Sequence, residues 1–444
     1  MRTIFWVLLN VCLASAQAPY FGPNPLGLRR GNAERDLLSI NPYFSVGAYY
    51  GAGLGAAPEA PGALPWDYSS GGFSVSAGVN GAHMWRRSML GIVYSASYGR
   101  NFRQSRRNVI GQGVGMAYTQ ELTPRTMLSL TLSSSLGNRA YAMYGNVGLG
   151  GLEAQGLFFN DPNAAYMPNQ EIFDMRLFSV AGSADVTRSL GGNWALSFGG
   201  SAFTTLREDT RLADWIGESA RVTASRRLGR RTSLGIGYTY TRFGYTRDFG
   251  DSNMHGMQVS ISHALGQGLN FSLSAGGVRV ERLGLARVVL DPLTAAVLGI
   301  STGAVVTYGL NYFGSGSASL SKSFRRSSAS LGYNLGMTPG NGFYMTSRAH
   351  SGHATYTYSG FRRWSVFANA SYTRWSELSV AAPPYESASV NAGVGRSLLT
   401  YLTFGLNGGY QHILSGGTGF VRDHAFAGAS LGFSPGSFGL PGWW

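Results

Sequence analysis

Few side chains in this sequence are spaced for chemistry. His350-Ser351-Gly352-His353 has the look of a metal pair, but no third ligand stands near it, and a structural zinc needs four. Asp248, Asp251 and Asn253 fall within one expected loop, as do Asp209, Asp214 and Glu218. Either set could offer oxygens to Ca²⁺, although neither has the spacing of an EF-hand loop. There is no G-x-S-x-G, and no Ser/His/Asp set with recognisable spacing. A lipid-modifying enzyme would need a lipid-facing His and Ser that no pattern picks out. The expectation is no catalytic residue, no metal and no cofactor. The plentiful chemistry is cationic. Arg86, Arg87, Arg230, Arg231, Arg325, Arg326, Arg362 and Arg363 come in adjacent pairs beside short polar links, and Arg125, Arg188, Arg226, Arg227 and Arg396 sit in similar places. Gathered at one rim, such arginines would grip lipid phosphates or attract anions. Nucleic acid is not the expected partner, because these charges are spread over eight links of a chain that carries an export signal.

That signal is Met1 to Ala18. Arg2 precedes a short apolar run from Ile4 to Leu13, and Ala14-Ser15-Ala16 fits a small-x-small cleavage site with Gln17 following. The only cysteine, Cys12, would leave with residues 1–16. A lipoprotein signal at Cys12 is the alternative, with bulky Val11 against it. No later stretch of 18 apolar residues could span a bilayer as a helix.

The elements that must position the arginines are strands. Leu128, Leu130 and Leu132 alternate with Ser129, Thr131 and Ser133. Leu269, Phe271 and Leu273 alternate with Asn270, Ser272 and Ser274. Val390 and Val394 alternate with Asn391 and Gly395, and Leu402, Phe404 and Leu406 with Thr403, Gly405 and Asn407. Period two with one apolar face is a strand pattern. The polar face is Ser, Gly, Thr and Asn, where a soluble sandwich would place Lys and Glu. It suits a wet interior, leaving the apolar face to lipid.

Composition agrees. The 444 residues include 64 glycines and 13% aromatics, but charged residues are 13%, about half the usual globular share. Thirty-five basic residues against 21 acidic give +14, and Lys322 is the only lysine. Disordered, collagen-like and disulfide-scaffold classes are excluded by the aromatics, the aperiodic glycine and the single cysteine.

Eighteen strands can be laid along 42–434. Short links near 83–87, 122–125, 188–192, 229–231, 266–268, 324–326, 361–362 and 398–400 alternate with longer ones, of which 138–172 and 282–304 are the longest. This rhythm predicts an all-β, transmembrane, antiparallel up-and-down β-barrel of about eighteen strands, with sixteen as the alternative. The expected division is a signal at 1–16, a periplasmic segment at 17–41, the barrel at 42–434 and a tail at 435–444. Tyr98, Tyr118, Trp194, Tyr240, Trp364, Tyr372 and Trp375 are candidates for aromatic girdles at the two membrane interfaces.

With signal, strand rhythm and loop asymmetry in place, the chain resembles Gram-negative outer-membrane β-barrels of porin-like type. The resemblance is architectural and covers nearly the whole chain after the signal. It implies a place in the outer membrane, lipids and the barrel assembly machinery as partners, and a channel for passive passage of small hydrophilic solutes. A homo-oligomer is compatible with it. The last-strand assembly signal, polar-x-Gly-x-x-apolar-x-aromatic, maps onto Gly428, Leu431 and Phe433. Phe426 departs from the polar position, and Pro435 and Pro441 argue against a further strand in the tail. In such porins the third external loop folds into the lumen. Here that loop carries Leu157, Phe158, Phe159, Asn160 and Asp161, which makes them the expected constriction. A barrel with a plugged lumen and a structural or adhesive role is the alternative function, and a soluble secreted β-protein the remaining alternative class.

Overall fold

The computed structural model describes residues 37–52, 70–102, 109–138, 176–208, 212–246, 250–266, 268–289, 302–340, 346–378, 384–415, 420–435 and 438–441. Every regular element among them is a strand. In chain order they are β1 (Leu37–Ala52), β2 (Ser70–Met84), β3 (Ser88–Asn101), β4 (Val109–Thr123), β5 (Thr126–Asn138), β6 (Arg176–Gly191), β7 (Trp194–Arg207), β8 (Trp215–Arg227), β9 (Thr232–Tyr245), β10 (Gly250–Gly266), β11 (Leu269–Val289), β12 (Thr302–Ser323), β13 (Ser327–Thr338), β14 (Ser347–Tyr358), β15 (Trp364–Glu377), β16 (Tyr385–Leu399), β17 (Leu402–Ser415), β18 (Phe420–Phe433) and the short β19 (Phe438–Pro441). Strands β1 to β18 each pair antiparallel with their sequence neighbours, and β18 returns to β1 from Phe44↔Phe433 to Ala52↔Ala425. The sheet is therefore a closed eighteen-stranded barrel. Closure leaves few backbone donors and acceptors without a partner, which is the condition for crossing hydrocarbon.

The alternation seen in the sequence sorts the two faces. On β9, Leu234, Ile236 and Tyr238 point outward and are exposed, while Ser233, Gly235, Gly237, Thr239 and Thr241 form the inner series. On β10, exposed Met257, Val259 and Ile261 alternate with Gln258, Ser260 and Ser262. Exposed Leu, Ile, Val, Phe and Tyr recur on the outside around the sheet. A large continuous apolar surface of this kind is a lipid-facing belt in a barrel.

The short connections are tight. That between β6 and β7 turns through Gly191, Gly192 and Asn193, with φ of 82°, 55° and 70°. Three successive left-handed residues are tolerated because two are glycine and the third is asparagine. Several boundaries differ from the expected ones. Strand β1 begins at Leu37, not 42. Strands β11 and β12 extend to Val289 and from Thr302, so strand stands where link was expected over 282–289 and 302–304, and residues 290–301 lie outside the described residues. The tail also contains a strand: Phe438–Pro441 pairs with Leu37–Ile40, continuing the edge that β18 leaves. Pro441 stands at the end of that strand, where a missing N–H matters least.

Candidate functional site: the inner wall and its mouth

The inner wall is a ladder of small hydroxyls bonded strand to strand. Ser45–Ser76, Ser179–Thr205, Thr187–Ser197, Ser201–Ser219, Ser233–Ser262, Ser272–Ser319, Ser274–Ser317, Ser328–Thr357, Ser330–Thr355 and Ser371–Ser389 are joined through their side-chain oxygens at 2.5–3.1 Å. Thr131 and Ser183 make the same kind of pair, and the Asn369 amide donates to Asn391 Oδ1 at 3.2 Å. Such pairs keep the side chains flat against the wall and add a few tenths of a kcal/mol each. They also leave acceptor capacity free for water. Along β12 to β14 this face is open: Ser317, Ser319, Asn334 and Thr357 are exposed. Along β7 and β8 it is covered, with Ser197, Ser201, Thr205 and Thr223 buried.

Charge on the inner wall is sparse and opposed. Asp185 on β6 and Arg221 on β8 share a row across Gly199 of β7, and the carboxylate acts on the guanidinium across the glycine. Glycine in the middle strand removes the side chain that would separate them.

Near the long-link end the inner wall turns apolar. Phe203, Trp215, Phe243, Met254 and Val280 form a buried cluster, against which Val278, Phe313, Met337 and Leu378 pack. The Phe203 ring lies 5.5 Å from Trp215 and 5.7 Å from Phe243. A second inner cluster joins Trp375, Tyr385 and Ile413 on β15 to β17.

One sector of the mouth is bridged. Strand β13 pairs with β12 only up to Leu335↔Gly316, then leaves the wall, while its pairing with β14 continues to Thr338↔Ser347. The base of the β13–β14 link reaches β9 and β10. Tyr245 Oη donates to the Pro339 carbonyl at 2.9 Å and lies 2.8 Å from Thr346 Oγ1, which in turn lies 2.6 Å from Ser252 Oγ. Ser252, Thr338, Thr346 and Ser347 are all buried. Met337 belongs by alternation to the outer series of Leu331, Tyr333 and Leu335, yet it packs on the inner cluster because its strand has turned inward. The β7–β8 link is also drawn in. Arg207 N–H donates to Asp214 Oδ1 at 2.7 Å, and Leu212, Ala213 and Asp214 are buried.

The residues singled out in the sequence fall as follows. Leu157, Phe158, Phe159, Asn160 and Asp161 lie outside the described residues. The mouth-bridging segment at 337–340 and 346–347 carried no sequence signal beyond Pro339-Gly340. The arginine pairs Arg86-Arg87, Arg230-Arg231, Arg325-Arg326 and Arg362-Arg363 all sit, exposed, in or beside short turns at one rim. On the outer wall at that rim three aromatic rings carry a cation: Arg226 over Trp194 at 5.5 Å, Arg396 over Trp364 at 5.1 Å and Lys322 over Phe324 at 5.5 Å. Leu431 and Phe433 face outward and are exposed, Gly428 belongs to the inner series, and Phe433 stacks edge-on with Tyr401 at 5.7 Å. Of the girdle candidates, Tyr98, Trp194, Trp364 and Tyr372 are exposed on the outside, and Tyr118 and Tyr240 share that face. Trp375 is a correction: it belongs to the inner series with Thr373 and Ser371 and is buried.

The weighed metal ligands do not gather among the described residues, and Asp209 and Asp248 lie outside them. His350 faces outward, 2.8 Å from Tyr333 Oη, whereas His353 is on the inner series, so the two do not converge. Asp251 and Asn253 lie on β10, not in a loop, where Asp251 meets Arg242 at 3.6 Å and Asn253 accepts from Tyr240 at 3.0 Å. Asp214 is bound to Arg207 and Glu218 stands on the outside of β8. Among the described residues, no group of three or more His, Cys, Asp or Glu could hold a metal ion. The outward His255 and His350 meet tyrosines, and His412 meets Asp423 at 2.8 Å.

Neither a protein-family model nor a curated sequence matches the chain. Solved structures do. The chain is similar in fold to Pseudomonas aeruginosa OccK2 (OpdF) in complex with glucuronate, at 11% identity over 89% of this chain and 98% of that one, with a TM-score of 0.41. It is similar to a BenF-like porin from Pseudomonas fluorescens at 10% identity, covering 91% and 99%, with a TM-score of 0.41. It is also similar to the ferric-catecholate import receptor Fiu of E. coli at 8% identity, covering 89% and 81%, with a TM-score of 0.43. These are likenesses of barrel shape. The chain's own geometry, apolar outside, hydroxyl-lined inside and closed at eighteen strands, is that of a transmembrane β-barrel.

Proposed function

We propose that this protein is an outer-membrane channel through which small hydrophilic solutes pass by diffusion. The observation that carries the reading is the inner wall: a continuous series of neutral hydroxyl and amide side chains, open to water along β12 to β14, inside a closed barrel whose outer face is apolar. An eighteen-stranded barrel is wide enough for an aqueous path. Such a wall presents hydrogen-bonding partners without strong charge, and the one inner row with opposed charges, Asp185 and Arg221, is balanced. It favours neutral or mildly anionic solutes.

The path narrows where the β13–β14 segment bridges one sector of the mouth. Residues 337–340 and 346–347, tied to Tyr245 and Ser252, narrow the path, and the apolar 157–161 stretch is proposed as a second narrowing element. Gly428, Leu431 and Phe433 are proposed as the signal read by the assembly machinery, and the arginine rim as the anchor to lipid phosphates. In planar bilayers the purified barrel is expected to give stepwise, ohmic conductance, and liposomes containing it should swell in sugar solutions. A folded, inserted barrel with no conductance steps would overturn the channel reading. The bridged mouth would then favour the plugged, structural barrel.

A further inference from the structure

The apolar cluster at the mouth does not close on itself. Between Phe203, Phe243, Met254, Val278 and Met337 lies a recess of about 180 Å³, also lined by Ser219, Thr239, Thr241 and Gly256. Hydroxyls line most of the inner wall, and large apolar side chains facing an aqueous lumen are costly unless they are covered or used. The recess is built from rigid parts. Phe203 lies across β8 because position 217 is glycine; a Cβ there would collide with its ring. Phe203 is further held by Trp215 and Phe243. Met337 is brought in by the inward turn of β13, which the Tyr245–Thr346–Ser252 bonds fix. No charged side chain lines the space.

We infer that this recess is a binding site for an uncharged solute carrying a single aromatic ring and a hydrogen-bonding substituent, a phenol being the simplest example. The volume matches: an apolar cavity of about 150 Å³ takes a benzene ring. The shape of the lining matches as well, since aromatic and thioether groups contact the ring while Ser219, Thr239 and Thr241 bond its hydroxyl. An ionised solute would lose hydration with no countercharge to replace it. The inference rests on the channel reading for the solute's route, but its test reads binding and not flux.

The probe is phenol, titrated calorimetrically into the folded, detergent-solubilised barrel against a matched micelle blank, with glucose as the comparison. One saturable phenol site per chain is expected, with no glucose site of similar strength. Gly256→Leu fills the recess from its lining. A Cβ at 256 meets only ordinary contacts, 3.5 Å from Val278, so the side chain can start there without moving the backbone. It should weaken phenol binding at least tenfold. If that variant does not reach the heat-modifiable folded form, Val278→Phe fills the same space while keeping a strand-forming residue. Phenol binding that is absent from the folded native barrel, unchanged by a folded filling variant, or displaced equally by glucose overturns the inference. Loss of conductance steps with phenol binding intact would instead strike the channel reading and leave the site standing.

Discussion

At the scale of single residues, the inner aromatic cluster depends on one missing side chain. Adding a Cβ at position 217 forces the Phe203 ring off its place against Trp215 and Phe243. Overpacking of this kind costs about 1–3 kcal/mol. Gly217→Ala should therefore lower the temperature at which the barrel loses its heat-modifiable mobility, whereas Gly284→Ala, at a glycine with open space around it, should leave that temperature unchanged. Equal loss in both would show that the Phe203 contact is not the cause. The residues of this cluster were hard to read in the sequence because they break the pattern that revealed the barrel. Phe203, Phe243 and Met254 are apolar members of otherwise polar inner series, and a period-two reading treats them as noise. Trp375 was legible in principle, since it continues Asn369, Ser371 and Thr373 on the inner face. Its indole suggested an interface girdle, and residue type outweighed parity. Trp194 and Trp364 stand on the outside as their types suggest, each with an arginine over the ring, an arrangement worth about 0.5–1 kcal/mol at exposed sites.

At the scale of elements, strand placement was legible because lipid imposes it: fourteen-residue strands such as β7, β9 and β15 must alternate to keep one face apolar. Where strands leave the membrane that rule lapses. Arg279 and Glu281 end the apolar outer series of β11, so the sequence suggested a loop from 282, yet the β11–β12 hairpin runs on from Leu269 to Val289 and from Thr302. From Thr302 to Ser315, β12 is paired with β11 alone, because β13 turns inward after Leu335. No composition signal marks that departure; it is stabilised by contacts 94 to 101 residues apart in sequence. The segment can be locked to test whether it narrows the path. Ser252 Oγ and Thr346 Oγ1 are 2.6 Å apart, close to where two sulfurs must stand for a disulfide. With Cys12, the only native cysteine, replaced by Ser, the double variant Ser252→Cys with Thr346→Cys should cross-link on oxidation and be seen as a shift in gel mobility. Its conductance should be less noisy when oxidised than when reduced. A cross-link that forms without any change in conductance or noise would mean that the segment is not the narrowing element.

At the scale of the whole molecule, charge among the described residues is polarised from one rim to the other. The short-turn rim is almost purely cationic: Arg86, Arg87, Arg125, Arg188, Arg226, Arg230, Arg325, Arg362 and Arg396 gather there, and Glu121 is the one carboxylate among the described residues at that end. At the long-link end the outer wall interleaves signs, with Glu218 beside Arg242, Arg242 bound to Asp251, Arg279 to Glu281, and Arg374 to Glu386 at 3.4 Å. Among the described residues the cationic excess thus lies at one rim. An even strand count brings the start of β1 and the end of β18 to that same rim. Loop length and charge could point in opposite directions, since a cationic rim would also suit an anionic outer surface. Three features side with loop length. The cation-capped Trp194, Trp364 and Phe324 make a compact interface anchor suited to phospholipid headgroups. The interleaved charges at the other end give a mutually neutralised collar. The tight turn through Gly191, Gly192 and Asn193 leaves nothing to display beyond the membrane. The expected topology has short turns in the periplasm and long links outside. In a Cys12→Ser background, Glu208→Cys at the long-link end should react with a membrane-impermeant maleimide on intact cells. Arg230→Cys in the β8–β9 turn should react only after the outer membrane is permeabilised. The reverse pattern would invert the barrel and make the arginine rim a surface for anionic lipopolysaccharide. Labelling of both on intact cells would mean that the reagent passes the barrier, through the barrel's own lumen included, and a maleimide coupled to a polymer too large for that lumen then decides the topology.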